Sequence, residues 1–309
     1  MSIKRMSIII VNYRTPELVV NCIDSLNHYN LNIDVELIVV DNDSSDGSKE
    51  KVTSKFKDVK WIQNESNLGF GKANNLGIGK ASNDIVLLLN SDVIANEFFL
   101  ENMIDLFTND SENIGLATCQ MINVDGTFQK SCTKFNASFK ELLSYNLLLD
   151  KIGFNKYKGK EGIKAVFGAC LIFSKNRIKH LGFFDEDFFM YSEEFELCNR
   201  LTKVGFDLKV YDPQIVHLDG ASSNNSDWKI RQRLVSQALL FKKNRGLMGF
   251  VLYTILTFFN FTTNITLMWF IDNNYRRDFI HQKKLAFQNI LCYPQIFFNL
   301  YPRPFKVRF

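Results

Sequence analysis

Short apolar runs alternate with segments of helical periodicity in the first half of the chain. The apolar runs predict strands over residues 8–11, 37–40, 59–62 and 85–89, of which the one at 59–62 is short. After the first run, Thr15 is placed as an N-cap and Pro16 as the first residue of a helix. Strands joined by crossover helices form a largely parallel sheet, so this half predicts a Rossmann-like α/β fold flanked by helices. The run at 85–89 is the most continuous and predicts a central strand covered on both faces.

The second half of the chain is less regular. Its apolar runs predict strands over residues 116–121, 165–173 and 208–210, and residues 193–204 predict a helix. The composition changes around Trp228, and no charged residue occurs from 247 to 271. We therefore predict a main α/β domain over residues 1–228 and a helical C-terminal region over 229–309.

The uncharged segment 247–271 is long enough to span a bilayer and is flanked by basic residues. A polar stripe at helical spacing weakens insertion, and it consists of Thr254, Thr257, Asn260 and Asn264. An amphipathic helix or hairpin in the membrane interface is therefore the preferred interpretation. A true span, or a helix packed on the main domain or on a second subunit, is the alternative. The basic flanks suit an anionic leaflet, so we expect a peripheral location on the inner face of the cytoplasmic membrane.

The composition is that of a folded globular protein. The 309 residues are 46% hydrophobic and 23% charged, which excludes wholesale disorder and a polytopic membrane protein. The net charge of +4 does not imply nucleic-acid binding. The six cysteines lack Cys-x-x-Cys spacing, and the N-terminus has no apolar stretch long enough for a secretory signal. We expect reduced thiols and a cytoplasmic location.

Polar residues follow the predicted strands at their carboxyl ends, where open α/β sheets bind their ligands. They are Asn12, Tyr13, Asp41, Asn90, Ser91 and Asp92. Asp41 can accept a hydrogen bond from a base or ribose, or it can satisfy amides of its own turn. Asp92 can bind Mg²⁺ or Mn²⁺ through a carboxylate oxygen, or it can cap a helix that begins near Glu97. His217 ends another apolar run and by itself indicates only a structural histidine.

Two further segments carry candidate chemistry. Gly69 and Phe70 lie at a strand-to-helix transition, where backbone amides can approach a phosphate, although tight helix packing explains the glycine equally well. Glu193 and Glu194 begin the predicted helix, where the dipole favours carboxylates in any case. Glu194 falls on the apolar stripe of that helix, and a buried carboxylate is costly unless it is used. Glu194 is therefore the best general-base candidate.

Together these motifs resemble glycosyltransferase family 2, the inverting transferases of the GT-A fold, and within it the rhamnosyltransferase-like branch. The resemblance extends from about residue 7 to about 246 and depends on the order and spacing of short segments at 11–13, 39–47, 67–71, 88–92, 168–170, 189–198 and 216–217. It implies a GT-A catalytic domain over 1–228 and a membrane-associating region over 229–309. The family's Asp-x-Asp motif reads Asn90-Ser91-Asp92 here, and its Glu-Asp pair reads Glu193-Glu194.

The resemblance also implies a role for each candidate. Tyr13 and Asp41 would contact the nucleoside, and the other nucleotide-sugar residues would be Asn12, Gly69, Phe70, Asn90 and Ser91. Asp92 and His217 would bind the Mg²⁺ or Mn²⁺ that bridges the diphosphate, and Glu194 would deprotonate the acceptor hydroxyl. The donor would be a dTDP- or UDP-sugar carrying rhamnose or another hexose. The acceptor would be a lipid-linked or growing cell-surface glycan.

Two other functions remain open at this point. A sugar-nucleotide nucleotidyltransferase could share the sheet and the metal site, but it needs a basic phosphate loop directly after the first strand, where this chain has Asn12-Tyr13-Arg14-Thr15. A non-catalytic membrane-associated module that binds nucleotide sugars would have lost Asp92 or Glu194, and both are present.

Overall fold

The computed structural model describes residues 4–27, 33–96, 99–108, 113–133, 162–218 and 226–267. The strands are β1 (Lys4–Asn12), β2 (Ile33–Asp41), β3 (Lys60–Gln63), β4 (Ile85–Asn90), β5 (Val93–Ala95), β6 (Ile114–Ile122), β7 (Cys132–Thr133), β8 (Ala165–Val166), β9 (Cys170–Ser174) and β10 (Asp207–His217). The helices are α1 (Pro16–Asn27), α2 (Ser48–Lys55), α3 (Phe70–Lys80), α4 (Phe99–Thr108), α5 (Lys175–Ile178), α6 (Glu193–Lys203) and α7 (Ser226–Leu267). This alternation confirms the predicted α/β class.

The main sheet has eight strands in the order β3-β2-β1-β4-β9-β6-β10-β5. β1 pairs in parallel with β2 on one side and with β4 on the other, and β2 pairs in parallel with β3. β9 is antiparallel to β4 and to β6, and β5 is antiparallel to β10. The mainly parallel, Rossmann-like sheet is therefore confirmed, and each of these antiparallel pairings involves β9 or β10, which are strands of the second half.

The core forms on both faces of the central strands. Ile8, Ile9 and Ile10 of β1 are wholly buried, and the apolar residues of β4 from 86 to 89 are at most 3% exposed. Each fully buried side chain of this kind contributes about 1.5–3 kcal/mol to folding. α3 packs very closely on β1, because a Cβ at Gly77 would lie 2.5 Å from Cγ2 of Ile9. These strands are the rigid platform for the residues that follow them.

One prediction about local structure is wrong, and one alternative is excluded. Residues 165–173 are not one strand, because β8 pairs with β7 in a separate two-stranded sheet before the chain joins the main sheet as β9. Asp92 does not cap a helix, because β5 comes next and α4 begins only at Phe99. The strand predicted at 208–210 is also longer, since β10 continues to His217 past a register shift between Tyr211 and Gln214.

The described residues belong to two compact units. The first unit contains the sheet and consists of residues 4–133, 162–186 and 194–218, and the second contains residues 187–193 and 226–267. α7 begins at Ser226, so the predicted boundary between 228 and 229 lies in its first turn. α7 departs from helical geometry at Gly246, where φ is 67°. No helix in the described ranges is long and apolar enough to cross a membrane, and residues 268–271 of the uncharged segment lie outside those ranges.

Five cysteines lie in the described part of the chain, and all five are buried and outside any disulfide there. Burial raises the pKa of Cys22 and Cys119 far above the usual range, and it raises that of Cys198 to about 12. The expectation of reduced thiols stays a prediction. Cys292 lies outside the described residues.

Candidate functional site

The carboxyl ends of β1, β2 and β4 lie side by side at one edge of the sheet. Asn12 is opposite Asp41 in the strand register, and Val11 is opposite Asn90. The turns after these strands therefore meet at the edge where open α/β sheets place their ligands. We refer to this edge and its turns as the candidate site.

Asp41 organises the turns after β1 and β2. Its carboxylate is 1% exposed and accepts hydrogen bonds on both oxygens. Oδ1 accepts from Nδ2 of Asn12 (2.6 Å) and from Oγ of Ser44, and Oδ2 accepts from the Ser44 amide (2.9 Å) and from Nε2 of Gln63 (2.7 Å). Both carboxylate oxygens of Asp41 are therefore occupied by donors of the protein itself, and Gln63 is the exposed residue among these donors.

Asn12 is wholly buried and connects β1 to the start of α1. Its Oδ1 accepts hydrogen bonds from the amide and the hydroxyl of Thr15, both at 3.3 Å. Tyr13 is half-buried, and the guanidinium carbon of Arg14 lies 5.3 Å from its ring centroid. The Thr15 hydroxyl also lies 3.4 Å from Oγ of Ser91, which joins the turn after β1 to the turn after β4. The structure thus brings Asn12, Tyr13, Asp41 and Ser91 together.

Gly69 and Phe70 are positioned by Asn42, the residue directly after Asp41. Nδ2 of Asn42 donates to the Gly69 carbonyl (3.0 Å), and its Oδ1 accepts from the Leu68 amide (3.2 Å). Gly69 has a φ of 84°, a conformation that favours glycine, and α3 begins at the next residue. Sequence reasoning missed Asn42 as an organising residue, although its place after a strand end was a signal. The ring of Phe70 packs edge-to-face against Phe184, with centroids 6.0 Å apart.

Asp92 and His217 form the second pair of the site. Asp92 is 2% exposed, and its Oδ1 lies 3.4 Å from Nε2 of the His217 ring, which is 15% exposed. The pair is fixed by the backbone, because Val93 is opposite His217 in the β5–β10 register and the Leu218 amide donates to the Asp92 carbonyl (2.9 Å). Tertiary structure therefore brings together two residues that are distant in sequence.

Asn90, two residues before Asp92, is held by hydrogen bonds of its backbone. Its amide donates to the Ala169 carbonyl (2.9 Å), and its own carbonyl accepts from Sγ of Cys22 (3.7 Å). Burial is the main reason why the pKa of the Cys22 thiol is raised, and the negative charge of Asp92 adds to it. Cys22 thus remains a neutral thiol beside the Asp92 carboxylate.

Gln129 is a further contact of His217 that sequence reasoning missed. Its Nε2 donates to the His217 carbonyl (2.7 Å), and its Oε1 lies 2.9 Å from Nδ1 of the His217 ring. The two residues are 88 positions apart, and no local motif marks Gln129. The imidazole is therefore held on both sides, by Gln129 and by Asp92.

The Asp92–His217 pair fits a divalent cation. A buried carboxylate oxygen and an imidazole nitrogen face each other at 3.4 Å, and both are common ligands of Mn²⁺ and related ions. Within the described ranges, no group of three or more His, Cys, Asp or Glu side chains could hold a metal. Substrate oxygens would therefore supply the remaining ligands, as is usual for Mg²⁺ at phosphate sites.

The acidic cluster lies at the start of α6. Glu193, Glu194 and Glu196 are 3%, 9% and 6% exposed, so burial alone does not single out Glu194 as the sequence pattern predicted. Glu196 forms an ion pair with Arg200, whose Nε lies 2.8 Å from Oε1 and 2.9 Å from Oε2. Because Glu196 is paired with Arg200, we assign it a structural role. Glu193 and Glu194 remain the candidates for the general base. The two residues before them, Tyr191 and Ser192, both have positive φ (67° and 70°).

Comparisons with known proteins agree with this geometry. The family model for glycosyl transferase family 2 matches residues 7–182, more than half of the chain. A low-salt glycan biosynthesis hexosyltransferase, Agl10 of Haloferax volcanii, is 28% identical over 201 residues. That alignment covers 63% of this chain and 61% of the relative, so the matched region spans less than two thirds of that protein.

Solved structures share the fold. The mannosyltransferase PcManGT from Pyrobaculum calidifontis, in complex with GDP-Man and Mn²⁺, matches 95% of this chain and 87% of its own, with a TM-score of 0.58 and 14% identity. GalNAc-T7 with UDP, GalNAc and Mn²⁺ matches 78% of this chain and 48% of its own, with a TM-score of 0.56 and 15% identity. The GT-A-like architecture is therefore confirmed, and with the family match it leads to one conclusion: the chain belongs to glycosyl transferase family 2.

Proposed function

We propose that this protein transfers a hexose, with inversion, from a nucleoside diphosphate sugar to a hydroxyl of a glycan acceptor. The observation that carries the proposal is the Asp92–His217 pair at the carboxyl end of β4, in a chain of this family. The relative named above is a hexosyltransferase of glycan biosynthesis, which supports a hexose as the transferred sugar. The two structural relatives contain UDP or GDP-Man together with Mn²⁺, which supports a nucleotide-sugar donor and a divalent cation.

The turns after β1, β2 and β4 would bind the nucleotide sugar. Tyr13 offers a half-buried ring for the base. Phe70, the first residue of α3, would offer its backbone amide, whereas the Gly69 amide already donates to Oδ1 of Asn67 (3.0 Å). Asp41 would accept a hydrogen bond from the base or ribose in place of Gln63, because the other donors to its carboxylate are buried. The exposed Gln63 amide can move into water at little cost.

Asp92 and His217 would hold Mg²⁺ or Mn²⁺ in the proposed reaction. The cation would act as a Lewis acid on the diphosphate of the donor. Asn90 and Ser91 would contact the nucleotide sugar, and they are themselves held by the Ala169 carbonyl and the Thr15 hydroxyl respectively. Because this pair supplies only two ligands, we expect weak metal affinity unless nucleotide is present.

Glu194 would take the proton from the attacking acceptor hydroxyl, and Glu193 is the alternative base. A positioned general base contributes about 10²- to 10⁴-fold to turnover. The acceptor oxygen would attack the anomeric carbon opposite the leaving diphosphate, so one displacement would invert the anomeric centre. A lipid-linked glycan is the acceptor that we propose, in line with the exposed apolar face of α7 described below.

A panel of nucleotide sugars tests the proposed function. The full-length protein with Mn²⁺ is incubated with UDP-, dTDP- and GDP-sugars, including dTDP-rhamnose, and donor hydrolysis and the melting temperature are measured. The correct donor at 100 times its Kd should stabilise the protein by about 2.7 kcal/mol, and chelation of the metal should abolish hydrolysis. Pyrophosphate exchange without sugar transfer would instead indicate a nucleotidyltransferase. The absence of both hydrolysis and stabilisation across the panel would contradict the proposal.

The C-terminal half of α7 supports a peripheral location at the membrane. Met248 is 83% exposed, and other large apolar side chains share its face of the helix, namely Leu247, Val251, Leu252 and Ile255. The opposite face is buried, with the Tyr253 ring stacked on Phe241 at 4.9 Å. The exposed Arg245 lies just before this apolar face. We propose that the face enters the interface of an anionic membrane.

Vesicle sedimentation tests this membrane proposal. The protein should sediment with phosphatidylcholine vesicles that contain phosphatidylglycerol, and high salt should release it. The double variant Met248→Asp, Val251→Asp should lose binding by about tenfold or more, because each charge would enter an apolar environment. Val204→Asp is the matched control, since Val204 is a 55% exposed valine on the other unit. Binding that resists both salt and carbonate would contradict a peripheral association.

A further inference from the structure

Three aromatic rings lie together at the start of α7. The Trp228 ring packs edge-to-face against Phe189, with centroids 6.3 Å apart, and lies tilted beside Tyr191 at 6.5 Å. The guanidinium carbon of Arg233 is 4.9 Å from the centroid of the Tyr191 ring. The three rings are half-buried and Arg233 is exposed, so the group reaches the surface of the second unit. We refer to these four residues as the aromatic cluster.

Buried polar groups hold the segment before α6 against α7. The Met190 carbonyl accepts hydrogen bonds from Oγ of Ser236 (2.6 Å) and from Nε2 of Gln232 (3.4 Å). Nε2 of Gln232 also donates to Oγ of Ser236 (3.1 Å), and the two residues are 8% and 2% exposed. The aromatic residues on either side of Met190 in the chain are therefore fixed beside α7.

The backbone directly after Met190 is strained. Tyr191 and Ser192 have φ values of 67° and 70°, which residues with a side chain rarely adopt. Strain of this kind costs free energy and persists where surrounding contacts impose it, typically at ligand sites. The strained turn leads directly into Glu193, the first residue of α6. It therefore ties the position of the Tyr191 ring to the start of that helix.

The place of the cluster in the chain favours the acceptor as its ligand. Glu193 and Glu194 come two and three residues after Tyr191, and three residues span at most about 11 Å. A glycan whose end hydroxyl meets either carboxylate is therefore within reach of the Tyr191 ring. The residues proposed to bind the donor all belong to the first unit, whereas the aromatic cluster belongs to the second.

The chemistry of the cluster favours a sugar. One face of a pyranose ring carries mainly C–H groups and packs on an aromatic ring, whose face is electron-rich. The hydroxyls around the edge of the sugar need hydrogen-bond partners, and a guanidinium offers several N–H donors. Ligand sites commonly combine aromatic walls with a few polar groups of this kind. A lipid chain, in contrast, has no group that a guanidinium can bond.

We propose that the aromatic cluster binds a sugar of the acceptor glycan, which packs on Trp228 and Tyr191 while its hydroxyls accept hydrogen bonds from Arg233. The bound sugar would hold the acceptor with its hydroxyl at the base. This role as an acceptor subsite rests on the proposed function, whereas sugar binding by itself needs neither donor nor metal.

Saturation-transfer NMR on the full-length protein tests sugar binding. The probes are the octyl glycosides of glucose, galactose, mannose, N-acetylglucosamine and rhamnose, below their micelle-forming concentrations and without nucleotide or metal. When the aromatic protons of the protein are saturated, the sugar-ring protons of at least one glycoside should receive the signal. Octyl tri(ethylene glycol) has the alkyl chain without a sugar, so its signal should not change in the variants below. Absence of transfer to the sugar protons of the whole panel would overturn the proposal.

Two replacements of Trp228 separate its aromatic face from its bulk. Trp228→Leu keeps an apolar side chain without a flat ring, so affinity for the glycoside should fall about tenfold. Trp228→Phe keeps an aromatic face and should retain most of the affinity. If Trp228→Leu has the melting temperature and the sugar signal of wild type, the proposal is wrong.

Arg233→Ala is the second variant, because an exposed side chain can be removed without loss of the fold. It should also weaken glycoside binding, and it decides alone if Trp228→Leu is unstable. Lys203→Ala is the matched control, since Lys203 is an exposed basic residue of the first unit. Equal glycoside affinities of Arg233→Ala and Lys203→Ala would exclude the role of Arg233.

Transfer kinetics test the role as an acceptor subsite. With the donor identified in the nucleotide-sugar panel and the glycoside that binds, Trp228→Leu should raise the KM for the acceptor about tenfold. Donor hydrolysis without acceptor and the donor-induced melting shift should stay at the wild-type values. An unchanged KM, a loss of donor binding, or no transfer to the bound glycoside would overturn the acceptor assignment. If wild type turns over no donor, the proposed function fails, and the NMR result alone decides sugar binding.

Discussion

Replacement of Glu194 by glutamine is expected to lower transfer by about 10²- to 10⁴-fold while donor binding stays nearly intact. Glutamine has almost the same size and can still form hydrogen bonds, but it cannot accept the proton of the acceptor hydroxyl. The residue is 9% exposed, at the start of α6. Transfer is measured as product formed per unit time, and donor binding as the melting shift caused by the nucleotide sugar. A Glu194→Gln protein that keeps most of its turnover would exclude this role.

Glu193→Gln is the control that decides between the two glutamates. Both side chains are buried in the first turn of α6, so the burial cost and the helix dipole are similar for each. If Glu194 is the base, Glu193→Gln should retain most of the turnover. A reversed result would assign the base to Glu193. Glu196→Gln should mainly lower stability, because it removes the negative charge that pairs with Arg200.

Replacement of Asp92 by asparagine is expected to lower turnover by about 10²- to 10³-fold and to remove most of its metal dependence. The substitution keeps the size of a side chain that is 2% exposed, but it removes the only carboxylate of the proposed metal pair. A Lewis acid at a diphosphate contributes several kcal/mol, and each ~1.36 kcal/mol corresponds to a factor of ten in rate. Turnover is measured over a range of Mn²⁺ concentrations, and wild type with a chelator should fall to the level of the variant.

Asp207→Asn is the matched control for this experiment. Asp207 is exposed at the start of β10, so its replacement should leave both turnover and Mn²⁺ dependence unchanged. The melting temperature of Asp92→Asn without ligands is compared with that of wild type, to separate a folding defect from loss of the metal. A folded Asp92→Asn protein with the Mn²⁺ dependence of wild type would show that the cation is bound elsewhere.

The sequence alone predicted the first half of the fold well. β1, β2 and β4 contain continuous apolar runs because the centres of these strands are buried, and such runs are visible locally. The short β3 has no buried residue. The start of α1 at Pro16 was equally local, since proline suits the first turn of a helix. The polar residues after these strands could therefore be placed at one edge of the sheet from local patterns alone.

The second half was predicted less well because its structure depends on long-range pairing. Residues 165–173 form a single apolar run, but one part pairs with β7 and the other with β4, and only the folded chain separates them. β5 has only three residues, and it is a strand because it pairs with the end of β10. That pairing converted Asp92 from a candidate helix cap into a partner of His217.

The sequence by itself determined the α/β class, the order of the crossover units and the residue types that carry the chemistry, because these follow from local periodicity and from which residues end the strands. Only the tertiary structure decided which of those residues meet. The contact of Gln129 with His217 joins residues 88 positions apart, and the contact of Asp92 with His217 depends on the antiparallel pairing of β5 and β10. Hydrogen bonds between distant residues leave no periodic pattern in a sequence, so the environment of the His217 ring became visible only in the folded chain.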